Sequence, residues 1–145
     1  MSVLSDYFSA PSDEEAAHAI TESLSSLFDD VLQMNNLFPD YHLVPLEAFL
    51  TGRSTEEIEK GPRHGKLLAS VDDHQVMVVT VSDELMVSLA AASPQRLVEA
   101  AESWSRFEDF QGSDTSGLVD FLRELADLAR RAMTDEEHLY CKMSC

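Results

Sequence analysis

Residues 66–81 read KLLASVDDHQVMVVTV, two runs of aliphatic and β-branched residues on either side of Asp72, Asp73 and His74. Such runs around a polar turn predict a β-hairpin. The second arm, Val76 to Val81, is apolar on both faces, as expected of a strand covered on each side and therefore central in its sheet. The remaining segments have to supply neighbouring strands and covering layers.

The nearest strand signal toward the C-terminus is HLYCKMSC, residues 138–145. Leu139, Cys141, Met143 and Cys145 alternate there with His138, Tyr140, Lys142 and Ser144, a period of two. At the other end, Val3, Ser5 and Tyr7 alternate with Leu4, Asp6 and Phe8. Four strands are thus expected, Val3 to Phe8, Lys66 to Val71, Val76 to Val81 and Leu139 to Cys145, with room for a further brief one at Tyr41 to Val44.

Between them run helical patterns with start signals. Ser12 and Glu15 form a capping box, and Ala16, Ile20, Leu24, Leu27, Phe28 and Val31 share one face, predicting a helix from about Asp13 to Leu32. Pro45 suits a first helical turn that continues through LEAFLT to a stop at Gly52. Ser54 with Glu57 starts a short turn. Ser82 caps a helix carrying Leu85, Val87 and Leu89, and Ser93 before Pro94 opens another, with Leu97, Ala101, Trp104 and Phe107 as its stripe down to Gly112. Asp114 is placed to cap the last helix, whose buried face is Leu118, Phe121, Leu122, Leu125, Ala129 and Ala132. The fold class is α+β: one domain over residues 1–145, a small, largely antiparallel sheet of about four strands covered by about four helices.

Charge narrows the function. The chain has 27 acidic against 10 basic side chains, a formal net charge of −17, and its first fifty-two residues carry no Lys or Arg. Such a surface repels nucleic acid and anionic lipid and attracts basic proteins through a field that weakens with salt. No apolar run approaches twenty residues and the N-terminus lacks a basic n-region, so a membrane span and a secretory signal are not expected and the cytoplasm is the expected location. The two cysteines read as reduced thiols. Four residues of strand separate them by about 13 Å, beyond the roughly 7 Å a disulfide tolerates, so both are expected as small buried hydrophobes.

Chemistry-bearing motifs are sparse. The five histidines, His18, His42, His64, His74 and His138, show no metal-ligand spacing, and DDH at Asp72 to His74 reads as turn chemistry. GPRHGK at Gly61 to Lys66 reads as a solvated loop balancing Glu56, Glu57 and Glu59, with reception of an anion as its alternative. No nucleophile or phosphate-loop motif occurs, so no catalytic residue, metal or cofactor is expected.

The order of segments, from the short N-terminal strand and the acidic helix after a proline through LEAFLTG and SDELMVSLAAASPQRLVEAAE to the closing strand after ARRAMTDEE, resembles the layout of the YfbM-like family of small bacterial proteins. It is similar also to a group of small acidic actinobacterial proteins with a tryptophan in the second-last helix and an LYC ending, here Trp104 and Leu139 to Cys141. The resemblance implies an α+β fold and supplies no catalytic residues.

The expected function is a non-enzymatic, acidic protein-binding module, with an immunity or antitoxin role against a basic partner as its concrete form. The candidate partner-binding residues are Asp13, Glu14, Glu22, Asp29 and Asp30 on the first helix, and Trp104, Glu108 and Asp109 on the second-last. One alternative is a small enzyme or metal-dependent binder using His and carboxylate groups near the 72–74 turn. Another is a homo-oligomer pairing through a strand edge.

Overall fold

The computed structural model describes residues 3–21, 31–107, 110 and 114–145. Five strands, β1 (Leu4–Ala10), β2 (Val31–Asn35), β3 (Leu67–Val71), β4 (Val76–Thr80) and β5 (His138–Ser144), make one antiparallel sheet in the order β2-β1-β5-β4-β3. The helices are α1 (Asp13–Ala17), α2 (Leu43–Thr51), α3 (Thr55–Glu59), α4 (Asp83–Ala91), α5 (Pro94–Trp104) and α6 (Thr115–Thr134), with a 3-10 turn at His18–Ile20.

The first and last strands of the chain lie side by side in the sheet, running from the Leu4–Ser144 pair to the Ala10–His138 pair. The two-residue period of β5 then divides its side chains between two layers. Leu139, Cys141 and Met143 join Tyr7 and Val79 in the main core with the helices, where Leu46, Leu89, Ala101 and Leu122 are buried. Tyr140, from the opposite face, packs with Phe8 and Val78 under α1 and the 3-10 turn, which contribute Ala16 and Ala19. The rings of Phe8 and Tyr140 stack at 5.7 Å. The expected cover on both faces of β4 is thus present, a helical layer on one side and, among the described residues, α1 with the 3-10 turn on the other.

Local chemistry sets the helix starts. Ser12, Ser54, Ser82, Ser93 and Asp114 each accept the backbone N–H two or three residues on, at 3.0–3.4 Å, satisfying donors that the first turn leaves open. Gly52 ends α2 in the left-handed conformation, φ 75°, with its N–H on Ala48 O. Gly65 is also left-handed, and a Cβ there would stand 2.6 Å from Asp40 Cβ, so the 61–66 loop closes tightly only with glycine.

Several expectations change. Val31 and Leu32 belong to edge strand β2 rather than to a helix ending at Leu32, so the sheet has five strands, not four; residues 22–30 lie outside the described residues. Tyr41 to Val44 is not a strand: Phe38 O accepts the N–H groups of Tyr41 and His42 in a tight turn, and Leu43 and Val44 open α2. α5 stops at Trp104, short of Gly112, and Phe107 lies past its end. Val87 is exposed on α4. Cys141 is buried and Cys145 exposed, because the last residue lies past the end of β5 and escapes its cover. Burial pushes the Cys141 thiol well above its ordinary pKa, leaving it an inert core residue as expected.

Candidate functional site

In the basic cluster Gly61 to Lys66, Pro62 and Lys66 are exposed, but Arg63 is turned inward. Thr80, buried in β4, donates its hydroxyl to Arg63 O and accepts from the N–H of Lys66, which turns the Arg63 side chain over the minor layer. Its Nη1 donates to both Asp13 oxygens at 3.0 and 3.2 Å, and its Nε lies 3.4 Å from Asp83 Oδ2. Tyr140 donates its hydroxyl to Asp13 Oδ1 at 2.7 Å, and the guanidinium sits 5.6 Å from the Tyr140 ring centre. The other oxygen of Asp83 is 2.9 Å from His138 Nδ1. Helix α1, the 61–66 loop, the start of α4 and strand β5 thus meet at one charged cluster.

Its electrostatics follow from the pairing. Burial works against the Asp13 carboxylate, but the bonds from Tyr140 and Arg63 outweigh it and hold its pKa below the usual carboxylate value. Burial and the adjoining Asp13 push the Tyr140 phenol far up, so it stays a donor.

A second arginine pattern runs through the helical layer. Arg53 lies 3.6 Å from the buried Glu47 and 3.7 Å from Glu57. Burial, ahead of the neighbouring Glu84 charge, raises the Glu47 pKa. Arg96 donates to Phe49 O at 3.1 Å and stacks 4.3 Å over the Phe49 ring. Arg130 donates to Ala90 O and Ala92 O at 3.2 and 3.0 Å, tying α6 to the end of α4. These guanidiniums serve carbonyls and carboxylates of their own chain, for which the planar fork of arginine is suited.

No family model, no curated protein and no solved structure matches this chain. Its own geometry has to carry the functional reading.

The residues named from the sequence separate. Glu14, like its neighbour Glu15, is exposed, whereas Asp13 is engaged by Arg63 and Tyr140 and is not a free carboxylate. Trp104 is not an interface anchor. It is 1% exposed, and its indole N–H donates to His42 O at 2.8 Å, the core role that its stripe on α5 allowed. Glu22, Asp29, Asp30, Glu108 and Asp109 lie outside the described residues. At the 72–74 turn, Asp72, Asp73 and His74 are exposed and all left-handed, with φ of 56°, 54° and 67°. Among the described residues no three His, Cys, Asp or Glu side chains are grouped to hold a metal ion, and no helix is long and apolar enough to cross a membrane.

Sequence reasoning placed Arg63 in a solvated loop, did not single out Asp83, and read Tyr140 as half of an alternation; the partners of Asp83 and Tyr140 lie 55 and 127 residues away.

One cleft stands apart from these clusters. About 820 Å³ in volume, it opens between the end of β2 and the start of α6, with Met34, Phe38, His42, Phe110, Asp114 and Gly117 in its wall. The N–H of Phe38 donates to His42 Nδ1 at 2.9 Å, and Phe110 meets the Trp104 ring edge-on at 4.8 Å.

Proposed function

We propose that this chain is an acidic protein-binding module for a basic partner, acting through exposed carboxylates rather than through bond chemistry. One observation carries the reading: Arg53, Arg63, Arg96 and Arg130 all turn to carbonyls or carboxylates of the chain itself, while Glu14, Glu15, Glu56, Glu59, Glu102, Asp120 and Glu124 are exposed. Lys60, Lys66, Arg106, Arg123 and Arg131 are exposed as well, but with a formal charge of −17 the four arginines held inward leave the outer surface with an excess of negative charge. That field steers association with a basic surface and raises its rate. An immunity or antitoxin role, in which carboxylates stand where a basic protein would hold phosphates, is its concrete form.

Tagged chain purified at low salt should retain a basic protein and release it as salt rises. Retention unchanged in high salt, or no retained protein, contradicts the reading.

A further inference from the structure

We propose that the cleft between β2 and α6 is a pocket for a cationic side chain, the arginine or lysine of a partner, held by its aliphatic stem against Met34, Phe38 and Phe110 and by its charge at Asp114. This rests on the partner reading above and gives it a specific contact.

The size is right for the purpose. At about 820 Å³ the cleft lies within the roughly 300–1,000 Å³ range of binding pockets, more than one long side chain needs. Among the described residues that line it, three rings and a thioether stand with a single carboxylate, and there is no Lys or Arg. An alkyl stem buries against the first group; a guanidinium or ammonium gains from ring faces and from the carboxylate together.

Asp114 is prepared for that role. As the cap of α6 it accepts the Ser116 N–H on Oδ1 at 3.0 Å and the Ser116 hydroxyl on Oδ2 at 2.7 Å. These bonds fix its rotamer and use one acceptor site on each oxygen, and a carboxylate offers about four. Its full charge exceeds the roughly half charge of opposite sign at the helix start, so the mouth of the cleft is net negative. An anionic occupant would meet this carboxylate; a neutral one would leave it unanswered.

The experiment uses two probes of equal shape, N-acetyl-arginine methylamide and its neutral citrulline counterpart, at fixed ionic strength. Trp104, the sole tryptophan of the chain, touches Phe110 and bonds to His42, so its emission reports on the cleft. The arginine probe should shift that emission and the citrulline probe should bind several-fold more weakly. Asp114→Asn, which keeps a good cap while removing the charge, should weaken the arginine probe about threefold, the scale of an exposed ion pair. Gly117→Leu, which adds bulk to one wall where a Cβ meets nothing within 4 Å, should weaken the response, and leucine favours helix, so the variant folds. Equal response to both probes, no response to either, or a response unchanged in both Asp114→Asn and Gly117→Leu overturns the pocket. The two readings fail separately: a partner that binds Asp114→Asn and Gly117→Leu as tightly as the parent leaves the acidic surface standing and removes the pocket. Absence of any partner removes the surface reading, and the probe titration still decides the pocket.

Discussion

Arg63 shows how one side chain can decide whether negative charge is available to a partner. It takes Asp13 and Asp83 out of the exposed set and leaves Glu14 and Glu15 in it. Replacing Arg63 by Ala should destabilise the fold by about 1–2 kcal/mol, an exposed-pair value enlarged by the partly buried setting, as read by urea unfolding at pH 7. The pH dependence has a definite sign. Asp13 has a lowered folded pKa, so its contribution is present above the ordinary carboxylate value, about 3.9, and is lost as pH falls toward the folded one. The deficit of Arg63→Ala should therefore shrink in acid. Glu47 runs the other way: its folded pKa is raised, so its contribution is complete below about 4.3 and is lost as pH rises through the folded value. Glu47→Gln should thus reduce the loss of stability between that value and neutrality, and an unchanged slope of unfolding free energy against pH would refute this assignment.

Elements were legible where a local signal marks a boundary, and less so where only periodicity speaks. The five side-chain N-caps lie where serine or aspartate announced them, α2 alone of the six described helices starting without one, and Gly52 ends α2 where a glycine was expected to. Gly52→Ala should accordingly cost about 1 kcal/mol for the left-handed turn, whereas Gly117→Ala, inside α6 with open space beyond, should gain about 0.5 kcal/mol. Thermal melting of the two variants in parallel, shifted in opposite directions, checks both. The hairpin also carries strain. Three successive left-handed residues without a glycine make Asp73→Gly a stabilising change of about 0.5 kcal/mol. Strand β2 was missed because Val31 continues a helical stripe begun at Ala16, and a period of 3.6 does not say where it stops. Val31–Asn35 is an edge strand with one partner, β1, set by pairing with residues some thirty positions earlier. The Arg63 cluster was hidden for the same reason: each member has an ordinary local role, and only the meeting of β5, α1 and the 61–66 loop turns them into a network.

At the scale of the whole molecule, the separation of charge joins sequence to function. Composition gives the excess of carboxylates, but only the fold shows arginines bonded inward at Phe49 O, Ala90 O and Ala92 O. A surface of this kind acts at long range, so the account makes its strongest claim about rates. The direct measurement is the association rate constant with any basic protein that the tagged chain retains at low salt, as ionic strength is raised from low to physiological. A fall of about tenfold or more with a nearly constant dissociation rate is expected. An association rate indifferent to salt would contradict the account.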